Sequence, residues 1–200
     1  MINQMKPILR YSCYGLRWPL IIAVGIPLLI WVSPFSSPNV RLLLIALPAL
    51  LLGPLLGGKD TLDDTRLFHA VLPINRTHIL FIRGCVGAVV LMMLILLMFL
   101  LRPKFFMAYP HSLLFDLAQS TGLFCTGFTL AALARRPVMV LLSWPMALVV
   151  CGLVLIVTSQ VDFHLGRQFG LITTPVFFLV SVITVLVLRR LYPRRNVFSN

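Results

Sequence analysis

Six apolar segments constrain this chain more than any other feature of its sequence. They cover residues 18–32, 40–56, 85–101, 113–134, 138–158 and 171–188. Each is about 15 to 22 residues long, and a helix of that length reaches roughly 23 to 33 Å, close to the thickness of a bilayer's hydrocarbon core. With 60% hydrophobic and 11% charged residues, the chain has too little polar surface for a water-soluble domain. The sequence therefore predicts an all-α, polytopic membrane protein, with six spans in a single transmembrane domain over residues 1–200.

The distribution of basic residues predicts the orientation of these spans. The net charge is +12, but the basic residues form short clusters beside the apolar segments, which is typical of topology determinants and lipid contacts rather than of a nucleic-acid interface. A cytoplasmic N-terminus puts 13 of the 17 on the cytoplasmic side: Lys6, Arg10, Arg17, Lys59, Arg66, Arg76, Arg83, Arg135, Arg136, Arg189, Arg190, Arg194 and Arg195. The other side keeps Arg41, Arg102, Lys104 and Arg167. We therefore expect both termini in the cytoplasm.

Residues 1–17 separate into an apolar and a basic face at the helical period, which is typical of an amphipathic helix lying in the headgroup layer. A charged, partly frayed leader is the alternative. The basic start resembles a signal peptide, but residues 36–38 lack a small-x-small cleavage pattern. We interpret segment 18–32 as a retained first span.

A polar island over residues 57–83 separates the second and third apolar segments. Four residues with side-chain oxygens lie near the start of this island: Asp60, Thr61, Asp63 and Asp64. Such oxygens can cap the free N–H groups of a helix, and carboxylates stabilise the positive end of its dipole. An apolar stripe at helical spacing follows, made of Leu67, Phe68, Val71 and Leu72. Pro73 then ends the helix, and a new one begins near His78. The pattern predicts a compact elbow between two spans.

The fourth apolar segment carries the most marked polar stripe. Its members fall three or four residues apart and share one helix face: Asp116, Gln119, Gly122, Thr126 and Thr129. Such a stripe either lines a pathway or packs inside a helix bundle, because small and polar groups let helices approach and hydrogen-bond. Asp116 lies within a turn of the predicted outer end, where we expect water to reach it.

Several motifs of enzymes and metal proteins fail on their context. Residues 53–59 fit the G-x-x-x-x-G-K core of a phosphate-binding loop, but Asp60 replaces the Ser or Thr that holds Mg²⁺, and an apolar span precedes the motif. Asp162 and His164 lack a third ligand or a nucleophile at useful spacing, so we interpret 159–170 as a solvated outer loop. The chain is thus expected to bind no nucleotide, metal or other cofactor, and not to be an enzyme.

Residues 72–83 read Leu-Pro-Ile-Asn-Arg-Thr-His-Ile-Leu-Phe-Ile-Arg. This stretch resembles the Leu-Pro-(Val/Ile)-Ser-Arg-x-x-Ile-Val-x-x-Lys segment of ABC-2 type transporter permeases, the membrane subunits of bacterial ABC exporters. Leu72, Pro73, Ile74, Arg76 and Ile79 match directly, whereas Asn75 and Arg83 replace Ser and Lys. The predicted surface helix, six spans and position of the motif after span two resemble the same family.

The resemblance implies a permease of the bacterial inner membrane that pairs with a second copy or a sister permease. It also implies docking to separate ABC ATPase subunits, which bind the ATP and Mg²⁺. In such proteins the loop after span two forms a coupling helix that seats on the ATPase. Carried over, the stripe of Leu67, Phe68, Val71 and Leu72 is the apolar contact, Asp60, Asp63 and Asp64 are capping and contact acids, and Arg76 is an anchor near the lipid headgroups. A membrane scaffold or immunity-type protein that moves no substrate is the alternative, and the transported substrate is not encoded in any motif of the sequence.

Overall fold

The fold is helical throughout the part of the chain that the structure describes. The computed structural model describes Ile21, Gly25 and residues 38–62, 76–101, 112–164 and 171–192. Its helices are α1 Pro38–Gly57, α2 Lys59–Leu62, α3 Arg76–Leu101, α4 Ser112–Leu133, α5 Pro137–His164 and α6 Thr173–Leu191. The all-α prediction is confirmed, and α1, α3, α4, α5 and α6 correspond in order to the second to sixth apolar segments.

Two helices extend beyond the apolar segments that predicted them. Helix α3 begins at Arg76, which confirms the predicted helix start near His78, and its first two turns come before the apolar segment that starts at residue 85. Helix α5 continues to His164, well past residue 158. Hydropathy marks only the apolar part of a helix, whereas the backbone hydrogen bonds continue into polar sequence. The predicted surface helix over 1–17, nearly all of the first apolar segment and residues 63–75 lie outside the described residues.

Helix α4 lies at the centre of the described bundle and packs against α1, α3, α5 and α6. The core between these helices is apolar and includes Leu52 and Leu56 of α1, Phe124 and Phe128 of α4, and Phe177 of α6. The rings of Phe124 and Phe128 stack with centroids 5.8 Å apart. The helix that carries the predicted polar stripe is therefore the one that contacts the most other long helices.

Helices α1 and α4 touch through glycine. A methyl group added at Gly53 would come within 2.6 Å of the Phe124 carbonyl oxygen, and one added at Gly57 would overlap the Phe128 carbonyl. These glycines are four residues apart, and so are the phenylalanines that they contact. The pattern is the small-xxx-small packing of membrane helices, in which missing side chains let two backbones approach.

Three of the described helices are long and apolar enough to cross a membrane, over Thr77–Leu97, Pro137–Asp162 and Thr173–Leu191. Much of their surface is exposed and apolar, including Met93, Val149 and Leu179. Long helices with such surfaces fit a protein embedded in a membrane. Helix α1 adds a shorter apolar stretch, Ala46–Gly57. The count of six spans stays a prediction.

Candidate functional site

The start of the predicted elbow is a tight turn at the end of α1. Gly58 donates its N–H to the Pro54 carbonyl at 2.8 Å, and its own carbonyl accepts from Thr61 and Leu62 at 2.9 and 3.0 Å. This arrangement links α1 directly to the four-residue helix α2. A side chain at Gly58 would collide with Val140 of α5, so the turn is closed against that helix. We call residues 57–62 the elbow base.

An ion pair joins the elbow base to α3. Arg83 Nη1 donates to Asp60 Oδ1 at 2.6 Å. The Arg83 side chain is 1% exposed and that of Asp60 is 19% exposed. Arg83 Nε and Nη2 have no hydrogen-bond partner among the groups that the structure describes. Arg83 is therefore a buried cation that pairs with the Asp60 carboxylate through only one of its nitrogen atoms, Nη1.

A second contact joins the elbow base to the corner between α4 and α5. The Thr61 hydroxyl donates to the Ala134 carbonyl at 3.2 Å, which satisfies a backbone oxygen just beyond the end of α4. Ala131, Ala134 and Val140 form a small apolar cluster at this corner, and Arg135 and Arg136 beside it are exposed. The elbow base thus contacts three structural elements within six residues.

The contacts of the elbow base place several of the predicted cytoplasmic cations at one end of the bundle. Lys59, Arg83 and the Arg135–Arg136 corner meet around the elbow base. Thr77 at the start of α3 and Arg189 at the end of α6 line one cleft, so these termini also share an end. This clustering is what the positive-inside pattern expects of one membrane face.

The structure places the predicted coupling residues unevenly. Asp60 lies in the first turn of α2 and pairs with Arg83, and its capping role stays a prediction. Arg76 is the first residue of α3. The other predicted coupling residues lie outside the described residues: Asp63, Asp64, Leu67, Phe68, Val71, Leu72 and Pro73.

The polar stripe of α4 makes contacts between helices. Thr126 Oγ1 accepts from the Cys151 thiol of α5 at 3.8 Å, and Thr129 donates to the Thr184 carbonyl of α6 at 3.4 Å. Gly122 lies against the ring of Phe177. Gln119 is half-buried. These contacts favour packing over a pathway lining for this stripe.

Asp116 does not lie where water reaches it. Its side chain is 1% exposed, although it is only four residues from the start of α4. The expectation of a hydrated position is wrong: α4 is the central helix, and Asp116 lies on its buried side although Leu114 in the same turn is exposed.

Asp162 is not in a solvated loop, which corrects the interpretation of residues 159–170. It lies in α5 and is 1% exposed. Its carboxylate accepts from the Ile172 N–H at 3.1 Å and from the Thr173 hydroxyl at 2.9 Å. A carboxylate suits this position because the first N–H groups of α6 lack partners within the helix and carry its positive dipole end. Asp162 therefore links α5 to the start of α6 through these two hydrogen bonds.

Sequence reasoning missed two features of this site. Gly53, the first glycine of the phosphate-loop-like motif, also forms G-x-x-x-G with Gly57, a signal of close helix packing that was available in the sequence. Arg83 falls three residues after Leu80 and four before Gly87, and all three are buried on one face of α3. Apolar residues also occupy the exposed faces of α3, such as Phe81 and Val89, so this spacing did not mark the inward face in the sequence.

Comparisons with protein-family models, curated proteins and solved structures give no match for this chain. The resemblance to ABC-2 permeases is therefore carried by residues 72–83 and by the predicted arrangement of spans.

Proposed function

We propose that this chain is the permease subunit of an ABC exporter in a bacterial inner membrane. It has six spans and cytoplasmic termini, and it moves its substrate with energy from ATP hydrolysed by separate ATPase subunits. The three long apolar helices support a place in the membrane. The permease-like motif of residues 72–83 follows the second apolar segment, which is where a coupling loop is expected.

The observation that carries this proposal is the attachment of the elbow base to three helices. Asp60 forms an ion pair with Arg83 of α3, and Thr61 donates a hydrogen bond to the α4–α5 corner. Gly58 is hydrogen-bonded to the last turn of α1. A partner that pushes on residues 63–75 would therefore act directly beside contacts with several helices, because the elbow base that precedes these residues is bonded to α3 and to the α4–α5 corner. Mechanical coupling needs such a connection between the docking element and the spans.

The same arrangement bears on where the nucleotide binds. Gly53 and Gly58, which match the glycines of a phosphate-binding loop, pack against α4 and α5. In this proposal the ATP and Mg²⁺ belong to the partner ATPase, and this chain supplies the docking surface and the spans. A second permease, identical or related, completes the pathway between the two copies.

Replacing Phe68 with Asp tests the coupling role. The predicted stripe of Leu67, Phe68, Val71 and Leu72 would remain an exposed apolar patch without a partner. An Asp in the middle of a buried contact leaves an unpaired charge, so we expect copurification of the neighbouring ABC ATPase to fall by orders of magnitude. ATP turnover coupled to this permease in liposomes should fall with it, while membrane insertion stays normal.

Ala70→Asp is the matched control, because it adds the same charge on the opposite side of the predicted helix. It should leave docking nearly unchanged. Equal docking and turnover in the Phe68→Asp and unmodified proteins would exclude this loop as the coupling element. Retained docking of a partner with no substrate movement in the unmodified protein would instead support the scaffold alternative.

A further inference from the structure

A cleft of about 620 Å³ lies between α3, α4 and α6. This volume is in the range of small-ligand pockets, about 300 to 1,000 Å³. Ala88 of α3, Phe124 and Phe128 of α4, and Val185 and Leu186 of α6 line its apolar part. The lining residues of α3 extend from Thr77 to Ala88, which at 1.5 Å per residue is about 17 Å. That length is close to the hydrocarbon thickness of one leaflet, about half of the 30 Å core.

The basic side chains that line the cleft, His78 and Arg189, lie at one end. Thr77 and His78 at the start of α3 face Arg189 and Tyr192 at the end of α6. Arg189 and His78 are exposed. Among the described residues that line the cleft, none carries a carboxylate. The cleft therefore has a cationic end and an apolar body, which is the charge pattern complementary to an anionic amphiphile.

We propose that this cleft binds an anionic phospholipid, with its phosphate at Arg189 and His78 and an acyl chain along Ala88, Phe124 and Phe128. Both bordering helices, α3 and α6, are long and apolar enough to cross a membrane, so a lipid can enter from the side. If a second copy of this protein filled the cleft instead, that contact would not require the basic residues to lie at one end of it. The inference needs only the membrane placement of these helices and not the proposed transport function.

The first test measures lipid binding to the full-length chain by native mass spectrometry in detergent, with phosphatidylglycerol and phosphatidylethanolamine as probes. We expect preferential binding of phosphatidylglycerol. Arg189→Gln should weaken it about fivefold, since one basic residue near a lipid surface contributes roughly that factor. Arg190→Gln is the matched control, because Arg190 is also exposed but does not line the cleft. Equal loss in both variants, or equal binding of the two lipids, would overturn the proposal.

The second test fills the apolar body. Ala88→Trp should reduce phosphatidylglycerol binding, whereas Val89→Trp, on an exposed neighbouring position outside the cleft, should not. If Ala88→Trp instead abolishes dimerisation and leaves lipid binding unchanged, the cleft is a contact between copies and the proposal is wrong.

A measurement on the unmodified chain keeps the proposal testable if a variant fails to fold. Cys85 is exposed and lines the cleft. Phosphatidylglycerol should slow maleimide labelling of Cys85, read by peptide mass spectrometry, and phosphatidylethanolamine should have little effect. Labelling that is indifferent to both lipids contradicts the proposal. An intact lipid effect in the Phe68→Asp protein would separate this binding from ATPase coupling.

Discussion

At the scale of single residues, the described acidic side chains hold parts of the fold together. Asp60 forms an ion pair with Arg83, and Asp162 accepts two hydrogen bonds from the start of α6. Asp116 is buried in the central helix. The chain has only five acidic residues, so each buried carboxylate is a large fraction of its negative charge. Carboxylates at these depths persist where hydrogen bonds or cations compensate their burial.

The ion pair predicts an asymmetric effect of mutation. Asp60→Ala leaves Arg83 buried at 1% exposure with no described acid beside it, which should lower the free energy of unfolding by about 3 kcal/mol. Arg83→Met removes the charge together with its two unpartnered donors, and it leaves Asp60 where water reaches part of the carboxylate. We expect it to cost about 1 kcal/mol. Unfolding in detergent should separate the two, with exposed Arg136→Ala as the control.

A larger loss for Arg83→Met than for Asp60→Ala would contradict this account of the pair. It would mean that the uncompensated carboxylate, rather than the uncompensated guanidinium, is the more costly buried group.

Because Asp162 links α5 to α6, replacing it should destabilise the first turn of α6. Asp162→Ala removes the acceptor for the Ile172 N–H and the Thr173 hydroxyl, and loss of a capping interaction typically costs about 1 kcal/mol, up to about 2. Hydrogen exchange at the first turn of α6 should increase. Gln160→Ala, an exposed change in the same turn of α5, should leave both stability and exchange unchanged. Equal exchange in the two variants would show that Asp162 does not hold this turn.

At the scale of elements, the contact between α1 and α4 depends on the absence of side chains. Gly53 and Gly57 bring α1 onto the backbone of α4 at Phe124 and Phe128. A contact between backbones has no flexible side chain that can yield to a larger residue, so it fixes the distance between two helices more strictly than apolar packing does.

Substitution at Gly53 measures that constraint. Gly53→Ala places a methyl group against a carbonyl oxygen and should cost about 1 to 3 kcal/mol as the helices separate. Gly152→Ala in α5 is the matched control, because a methyl group there meets open space and alanine favours the helix. Unfolding of both variants in detergent checks the difference. Similar stabilities would show that α1 and α4 adjust without cost.

At the scale of the whole molecule, one end of the bundle gathers the elbow base, the α4–α5 corner and the basic end of α6. The elbow base, which directly precedes the proposed docking element in the chain, and the basic end of the proposed lipid cleft both lie at this end. Both would therefore face the cytoplasm in the predicted orientation, where anionic lipids and an ATPase are available to them.

The topology prediction belongs to this scale. Reporter fusions after Arg102 and after Asn200 should report opposite sides of the membrane, since the basic residues divide 13 to 4 between the two faces. Identical signals from the two fusions would exclude six spans with both termini inside.

The sequence by itself determined the helices and their order. Segments two to six each became a helix because a long apolar run in lipid must satisfy its backbone hydrogen bonds internally. The positions of the glycines were also legible, since G-x-x-x-G is a local pattern. Residues 63–75, which carry most of the predicted coupling surface, still rest on sequence alone.

Only the tertiary structure decided which residues are enclosed. Arg83 appeared to be a loop cation and Asp162 a solvated loop acid, yet each is 1% exposed. Helix α4 carries the polar stripe and Asp116 and lies at the centre of the described bundle. A hydropathy profile along the chain does not show which helix is central. Burial is a property of neighbours that are distant in sequence. Arg83 and Asp60 are 23 residues apart, and Thr61 and Ala134 are 73 apart; no local pattern specifies those pairs.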